Sequence, residues 1–469
     1  MFKKVKTIHF IGIGGTGMCG LAEIIHNMGY TVTGSDLRVS EATERLESLG
    51  IKVFYGHSPS NLRDPDLVVV SSAVKGDNPE LVFAAAKGIP IIPRAQMLAE
   101  LMRLKEGIAV AGTHGKSTTT SLIGEVLTEA GLDPTIIVGG RVVNLSANAK
   151  LGTGKYLVAE ADEYDRSFLR LAPTIAVVTA IEPEHLECYS DDFELLKRAF
   201  LEFMNKVPFY GAVFACADEN VVRELIPEVD RRIFTYGIAT SADIRAIRIS
   251  FSENRSHFTV VHNDEELGDI DVKLLGLHNV RNCLAAVSVG LELGVPFNVI
   301  QKALEKFKGV YRRFQIKSTV GGIMVVDDYA HHYTEIRATL QGAKLGYKGR
   351  RIIAVFQPHL YSRTRAFYRE LGKSLLESDI LFVTDVYPAR EEPIEGITGE
   401  LVANAAKEYG HKEVYYSKDQ ALLPSLIYEV LKPSDIVITL GAGDIWKVGE
   451  ELIKMLEERY GKVSGQSLS

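Results

Sequence analysis

Lys116 and Ser117 stand in the run Val110-Ala111-Gly112-Thr113-His114-Gly115-Lys116-Ser117-Thr118-Thr119-Thr120. An apolar stretch precedes this run and an amphipathic one follows, so it reads as a strand, a glycine turn and the start of a helix that ends near Ala130. In that setting it is a phosphate loop. Backbone N–H groups from Gly112, Thr113, His114, Gly115 and Thr118 cradle phosphates, Lys116 reaches the β and γ oxygens, and the Ser117 hydroxyl ligates Mg²⁺. Val110 stands where the commoner motif has its first glycine, which makes this the shorter GxxGK[ST] version. A chance Gly-Lys pair would not carry a strand before it and a helix after it.

Other polar groups fall at the ends of predicted strands. Glu160-Ala161-Asp162-Glu163 closes one, and acids at the carboxyl end of a parallel strand beside a phosphate loop are natural Mg²⁺ ligands. Glu182-Pro183-Glu184-His185-Leu186-Glu187 follows the next. His185 draws attention by position only, because Mg²⁺ prefers oxygen. Near the amino terminus, Gly12-Ile13-Gly14-Gly15-Thr16-Gly17 lies between a strand and a helix, and Asp36 follows the second strand, 24 positions after Gly12. Glycines there admit a diphosphate to a helix N-terminus, and the acid suits a ribose. A dinucleotide and a UDP-sugar satisfy that pattern equally. In the last third, Asp327-Asp328-Tyr329-Ala330-His331-His332, Gln357-Pro358-His359 with Arg363-Thr364-Arg365, and the run 385–391 each follow a strand. Polar clusters at successive strand ends build a site along one sheet edge.

The elements that position these residues are apolar runs rich in Val and Ile at 6–13, 66–71, 107–111, 156–159, 175–179, 323–327, 351–356, 380–384 and 435–440. They are continuous rather than alternating, which predicts mostly parallel sheets covered on both faces, an α/β fold. Residues 244–273 alternate, with a turn at Asn263-Asp264, and predict a small antiparallel sheet. Linkers near 101–107 and 309–314 divide the 469 residues into domains 1–105, 106–310 and 311–469. The small polar tail 461–469 is expected to be disordered.

With 46% apolar and 24% charged residues, the composition is globular, and it excludes disordered, collagenous and coiled-coil classes. A net charge of −7 gives no cationic field for nucleic acid or a membrane surface. No apolar run reaches bilayer length. The basic start leads into a short apolar segment and then glycines, so it reads as a first strand rather than a signal peptide. Cys19, Cys188, Cys216 and Cys283 are scattered with no CxxC pair, which fits a cytoplasmic protein.

Taken together, the motifs resemble those of the ATP-dependent Mur ligases over nearly the whole chain. The matching runs are HFIGIGGTGM at 9–18, AGTHGKSTTT at 111–120, EADEYDRSFL at 160–169, LHNVRNCLAA at 277–286, DDYAHHYTEI at 327–336, FQPHLYSRTR at 356–365 and DVYPARE at 385–391. The phosphate-loop element is shared with folylpolyglutamate synthetases; the amino-terminal glycines, FQPH…RTR and DVYPARE narrow the resemblance to the alanine-adding branch. Two positions depart from it. Tyr333 stands where many members have Pro, and Leu360 where many have Arg.

The resemblance implies three domains: a Rossmann-like UDP-sugar-binding domain, a central ATPase domain and a Rossmann-like carboxy-terminal domain. It implies ligation of L-alanine to the lactyl carboxylate of UDP-N-acetylmuramate, with ATP as co-substrate and two Mg²⁺ ions, or Mn²⁺ in their place. Gly14, Gly15, Gly17, Asp36, Ser71 and Ser72 would hold the UDP moiety. Lys116 and Ser117 would hold the γ-phosphate and one Mg²⁺, with Glu160 and His185 serving the metals and Glu160 bridging towards the second. His278, Asn279 and Asn282 would lie near the adenine, and Arg313 and Asp328 would reach the nucleotide. Tyr329, His331 and Arg363 would surround L-alanine, with His331 the candidate to take the amine proton. A monomer or weak homodimer is expected. The rival readings are a recycling ligase that adds a tripeptide to the same nucleotide sugar, and an NAD-dependent oxidoreductase, which leaves Lys116 and the acids unexplained.

Overall fold

The structure, a computed structural model, describes residues 4–142, 147–238, 242–389 and 391–461. The tail from 462 onward and Arg390 of the DVYPARE run lie outside the described residues. Three sheets carry an α/β fold of three domains.

The first sheet contains β1 (Thr7–Ile11), β2 (Thr31–Asp36), β3 (Lys52–Tyr55), β4 (Leu67–Val70) and β5 (Ile91–Pro93). It is parallel, in the order β3-β2-β1-β4-β5. Strand order reverses between β1 and β4, and a crevice opens at the carboxyl end of such a switch point. The sequence places Gly12 and Ser71 there, one after each strand. The first strand, expected to run to residue 13, stops at Ile11 because Gly12 turns with φ +78°. The N–H groups of Gly12 and Ile13 both donate to the Ser35 carbonyl, at 2.8 and 3.0 Å. One acceptor serving two consecutive amides bends the chain out of the sheet.

The second sheet comprises β6 (Glu106–Ala111), β7 (Thr135–Val142), β8 (Ala147–Lys150), β9 (Tyr156–Ala161), β10 (Ile175–Val178), β11 (Ala212–Cys216), β12 (Ile233–Gly237), β13 (Ile244–Ser252), β14 (Arg255–His262) and β15 (Glu265–Val272). Its order is β15-β14-β13-β12-β11-β10-β6-β9-β7-β8. From β12 to β7 the pairing is parallel, and β8 runs antiparallel to β7. The turn between β14 and β15 is Asn263-Asp264, with φ +49° and +68°, the left-handed pair that a tight hairpin requires. The central strands are buried along their length: Ile108, Ala109, Val110 and Ala111 of β6 are at most 1% exposed. Such strands need cover on both faces, so the chemistry-bearing residues can only leave the sheet at its ends.

The third sheet contains β16 (Gln315–Val320), β17 (Ile323–Asp328), β18 (Ile352–Phe356), β19 (Ile380–Val383), β20 (Val414–Tyr416) and β21 (Ile436–Leu440). Its order is β16-β17-β21-β18-β19-β20, parallel except for β16. Its two faces are packed separately, one by Val326, Ala354, Phe356 and Ile438, the other by Val325, Ile353, Val355 and Val437.

The chain divides into two compact units. The first is Met1–Arg248 with Phe258–Ile270 and Arg281–Val310; the second is Ile249–His257 with Asp271–Val280 and Tyr311–Ser469. In the first unit, Ile8, Phe10, Met18 and Leu21 share one core with Ala109, Ala111, Leu157 and Ala159.

Candidate active site

In the first unit, β6 ends at Ala111 and the helix Lys116–Glu129 begins after four intervening residues, with Gly115 at φ +82° before it and no side chain capping its first turn. The first amides of that helix are therefore left to a ligand or water, and the helix dipole favours an anion. The loop is braced from β10. The Thr113 N–H donates to the Ala180 carbonyl (2.8 Å), and the Thr179 hydroxyl donates to the His114 carbonyl (2.5 Å). His114 Nε2 lies 3.2 Å from Glu182 Oε2. A Cβ on Gly115 would sit 2.7 Å from Asn282 Oδ1, so that position must be glycine on two counts, space and φ. Asn282 also accepts from the Thr119 hydroxyl (3.1 Å), and the neighbouring Arg281 is tied to Asp218 at 2.7 Å. The helix Leu277–Glu292 thus sets Asn282 beside the loop by two independent fixings.

Lys116 Nζ donates to the Gly112 carbonyl (2.5 Å), the Thr113 carbonyl (3.3 Å) and Glu163 Oε2 (2.7 Å). Burial works against its charge, but Glu163, Asp162 and Glu160 outweigh burial and push its pKa up, so it is held as an ammonium. Glu160, near the end of β9, accepts from the Gly139 N–H (2.8 Å), and the nearby Ser117 hydroxyl works to lower its pKa. Burial raises the pKa of Glu160 and of Glu163, with hydrogen bonds and Lys116 opposing it.

Ligand atoms of Glu163, Glu184 and His185 lie within 4.8 Å of one another. Glu163 Oε1 is buried with no hydrogen-bond partner, although Oε2 of the same group holds Lys116. An unsatisfied buried carboxylate oxygen beside a second carboxylate and an imidazole fits a divalent cation. The backbone here is forced. Asp165, Arg166 and His185 have φ +55°, +59° and +56°, a left-handed conformation that costs non-glycine residues about 1–3 kcal/mol each. The Tyr189 hydroxyl donates to the Glu163 carbonyl (2.6 Å) and the Arg166 N–H to the same oxygen (3.0 Å), which holds the turn.

Of the expected metal ligands Ser117, Glu160 and His185, the first two are neighbours close enough for the hydroxyl to affect the carboxylate. The three-residue ligand group that contains His185 is formed with Glu163 and Glu184, not with Glu160. Glu163 and Glu184 were present in the two acidic runs of the sequence, but spacing alone does not say which acid of a run points inward.

The amino-terminal glycine loop opens the helix Thr16–Asn27, again with a glycine before it and no side-chain cap. Gly14 donates to Asp36 Oδ2 (2.8 Å), while Asp36 Oδ1 accepts from the Leu37 N–H (2.8 Å). Both carboxylate oxygens of the residue expected at a ribose already hold backbone. A Cβ on Gly14 would stand 2.8 Å from Thr43 Cγ2, one on Gly17 3.0 Å from Arg94 Nη1, and one on Gly12 3.2 Å from Ser71 Cβ. Gly15 has more room, its nearest neighbour being the Gly12 carbonyl at 3.4 Å. Ser71 follows β4 and its hydroxyl accepts from the Ala73 N–H (3.3 Å); Ser72 is exposed.

In the second unit, Asp328 at the end of β17 accepts from the N–H groups of Phe314 and Ala330, both at 2.7 Å. Burial pushes its pKa up to about 6, with Arg313 opposing. Arg313 pairs with Glu335 (3.2 Å) and stands over the Tyr329 ring at 5.4 Å. His331 Nδ1 lies 3.0 Å from the Tyr329 carbonyl, which can only accept, so Nδ1 carries the proton and Nε2 the lone pair in the neutral ring. His331 meets His359 edge-on at 5.6 Å, and His359 stacks on Tyr387 at 5.9 Å. Burial, then His331 and Arg363, push the His359 pKa down to about 3, so it is neutral. These residues come together from the ends of β17, β18 and β19, as the recurrence of polar clusters suggested. His278 and Asn279 belong to this unit; the Asn279 side chain donates to the Leu275 carbonyl (2.8 Å), and Gly276 makes room for the His278 ring. Leu360 has φ +68° and donates to the Tyr387 carbonyl (3.0 Å), while Tyr333 packs on His332 and Phe367. His359 carried no assigned role from the sequence; its signal was its place in QPH after a buried strand.

Three family models match in succession. They are described as Mur ligase family, catalytic domain (residues 7–106), Mur ligase middle domain (110–290) and Mur ligase, glutamate ligase domain (312–443). The chain is 51% identical over 457 residues to the UDP-N-acetylmuramate–L-alanine ligase of Geobacter sp. (strain M21), covering 97% of this chain and 99% of the relative. It is 52% identical to that of Syntrophotalea carbinolica, covering 98% and 100%. Among solved structures it resembles the UDP-N-acetylmuramate-alanine ligase of Thermotoga maritima, with TM-score 0.83, 31% identity, and 97% and 100% covered. A murein peptide ligase from Psychrobacter arcticus matches with TM-score 0.71 and 27% identity, covering 98% and 100%. A braced phosphate loop beside acidic strand ends and relatives half identical over almost every residue place the chain in one family: it belongs to the Mur ligases.

Proposed function

We propose that the protein joins L-alanine to the lactyl carboxylate of UDP-N-acetylmuramate at the expense of ATP, giving UDP-N-acetylmuramoyl-L-alanine, ADP and phosphate. The observation that carries the ligase chemistry is the ammonium of Lys116 held against the acid-lined end of β9. The choice of L-alanine over a tripeptide is supported by the names of the relatives that are half identical over nearly the full chain. Residues 1–105 carry the nucleotide sugar, 106–310 the ATP and 311–469 the amino acid.

A carboxylate and an amine do not condense in neutral water without activation. A lactyl carboxylate oxygen attacks the γ-phosphorus of ATP, the bond to the β-phosphate oxygen breaks, and an acyl phosphate and ADP result. Catalysis of such a step is mainly positioning and charge neutralisation. Lys116 and the uncapped amides at the start of the helix Lys116–Glu129 do both for the transferred group, while the Thr113 amide braces the loop against Ala180. Ser117 with Glu160, and Glu163 with Glu184 and His185, would hold Mg²⁺, which when bound neutralises phosphate charge. The family resemblance supports assigning His278, Asn279 and Asn282 to the nucleotide base, and Arg313 and Asp328 to the nucleotide. The alanine amine then attacks the acyl carbon, the carbon–oxygen bond to phosphate breaks, and the nitrogen sheds a proton. His331, with its lone pair on Nε2, is the group assigned to take that proton. Arg363 and Tyr329 hold the amino acid. Gly14, Gly15, Gly17, Ser71 and Ser72 receive the UDP moiety, and Asp36 acts chiefly by holding Gly14.

Phosphate release from ATP and UDP-N-acetylmuramate, measured across a panel of single amino acids and the L-Ala-D-Glu-containing tripeptide, tests this. Release that depends on L-alanine supports the reading; release with the tripeptide alone overturns it.

A further inference from the structure

Glu80 lies at the start of the helix Pro79–Ala86, is 0% exposed, and no step of the chemistry uses it. Its carboxylate gathers three segments of the first sheet. The Ser35 hydroxyl of β2 donates to Oε2 (2.6 Å) and His9 Nε2 of β1 stands 3.4 Å from the same oxygen. From the stretch after β3, the Asn61 amide (2.6 Å) and the Ser58 N–H (3.1 Å) donate to Oε1, and His57 Nδ1 is 3.7 Å from Oε2 and 3.0 Å from the Ser35 hydroxyl. Burial alone would raise its pKa, but these donors outweigh burial and lower it to about 2, so the group is ionised.

A buried charge held by this many donors is an expensive way to fill a core, since apolar residues pack the rest of the sheet. What a carboxylate does here that a leucine could not is fix a hydroxyl in one orientation. That hydroxyl belongs to Ser35, whose carbonyl receives the Gly12 and Ile13 N–H groups at 2.8 and 3.0 Å. The next residue, Asp36, receives the Gly14 N–H at 2.8 Å. The dipeptide Ser35-Asp36 therefore carries three amides of the glycine loop, and Glu80 pins its first member from behind the sheet.

We propose that Glu80 is a positioning residue for the glycine-rich loop, acting through Ser35 to hold the loop so that the uncapped amides at the start of the helix Thr16–Asn27 face the diphosphate of the nucleotide sugar. This rests on the assignment of that loop to the UDP moiety. Small displacements of pre-set amides weaken an anion site without touching chemistry elsewhere.

The test uses the full chain, steady-state kinetics in all three substrates, and calorimetric binding of UDP without ATP. Glu80→Gln keeps the shape but replaces one acceptor with a donor. It is expected to raise the KM for UDP-N-acetylmuramate and the Kd for UDP by roughly tenfold, the scale of one lost charged hydrogen bond. The kcat and the KM values for ATP and L-alanine stay within about twofold. A general loss of folded protein would lower kcat instead and leave the KM values alone. Ser35→Ala is expected to act in the same direction, and Glu80→Gln with Ser35→Ala to bind no more weakly than the worse single variant; additive losses overturn the path through Ser35. Asp36→Ala serves as the control. If it weakens UDP binding while Glu80→Gln does not, the positioning role is overturned and the loop assignment stands. If Asp36→Ala leaves UDP binding unchanged, the loop assignment falls and the proposal with it. Should Glu80→Gln fail to fold, the KM-against-kcat split of Ser35→Ala decides alone.

Discussion

Lys116 Nζ sits 2.7 Å from Glu163 Oε2, with both side chains largely withdrawn from solvent. The ammonium that would meet the γ-phosphate already has a carboxylate and two loop carbonyls as partners. A triphosphate arriving at the loop must compete with Glu163 for that charge, and the released Glu163 then has both oxygens for a cation beside Glu184 and His185. One salt bridge thus links the glycine-lysine loop to the group of possible metal ligands.

Breaking that pair by removing one partner leaves the other charge buried alone, which costs about 3–5 kcal/mol in comparable cases. Lys116→Ala should therefore abolish ADP release and lower the midpoint of thermal unfolding. The double variant Lys116→Ala with Glu163→Gln should recover much of the lost stability and none of the activity. ADP release by a coupled assay and scanning calorimetry read the two effects separately. Turnover surviving in Lys116→Ala would remove the phosphate-loop role, and no recovery in the double variant would show that Glu163 answers to something besides Lys116.

The grouping of acids gives a second expectation. Glu184→Gln and His185→Ala should raise the Mg²⁺ concentration for half-maximal phosphate release by roughly tenfold or more, with kcat partly restored at saturating metal. Glu160→Gln should do the same, because it removes a carboxylate charge from beside Ser117. A Mg²⁺ titration unchanged by Glu184→Gln, with His185→Ala affected, would return His185 to a ligand group without Glu184.

The phosphate loop was legible in the sequence because its mechanism is local. Glycines, lysine and serine must follow one another for backbone amides and one side chain to meet the same anion. Most of the buried strands were legible for a related reason, since a strand covered on both faces has to be a continuous apolar run, although β11 (Ala212–Cys216), equally buried, was not among the predicted runs. What could not be read is pairing across the chain. Glu163 lies 47 positions from Lys116, and Glu80 71 from His9. The run Glu160-Ala161-Asp162-Glu163 gives no hint that Glu160 turns to Ser117 and Glu163 to Lys116. Edge strand β16 was missed because its half-exposed residues, Gln315, Lys317 and Ser318 among them, dilute the apolar signal. Asp36 was found by position, but the use of both its oxygens on backbone depends on the turn made by Gly12.

In the second unit His359 is neutral, and Arg363 is a cation close enough to help keep it so. A guanidinium grips a carboxylate through two parallel N–H groups, which an ammonium cannot reproduce. Arg363→Lys should raise the KM for L-alanine by roughly tenfold or more and leave the KM for UDP-N-acetylmuramate within about twofold. An unchanged alanine KM would shift the carboxylate contact to another residue, Arg365 being the other arginine of the same run.

The Glu80 network has a consequence for stability with a definite sign. Its pKa in the folded chain is lowered from 4.5 to about 2, so between these values the unfolded chain binds more protons than the folded one. Stability then rises with pH across that window. The contribution is complete above the unfolded value and disappears as pH falls towards 2; a shift of this size corresponds to about 3 kcal/mol. Glu80→Gln should therefore be less stable than the parent at pH 6, and the gap should close progressively as pH is lowered below 4.5. Asp133, also lowered to about 2, is common to both proteins and cancels in the difference. The single tryptophan, Trp446, lies in the second unit and would report the wrong region. Hydrogen exchange at the amides of β1 and β2, compared between parent and variant from pH 6 down to pH 3, is the suitable readout, with intrinsic exchange rates corrected at each pH. A gap that stays constant over that range would mean the carboxylate is no better held in the folded sheet than in the open chain.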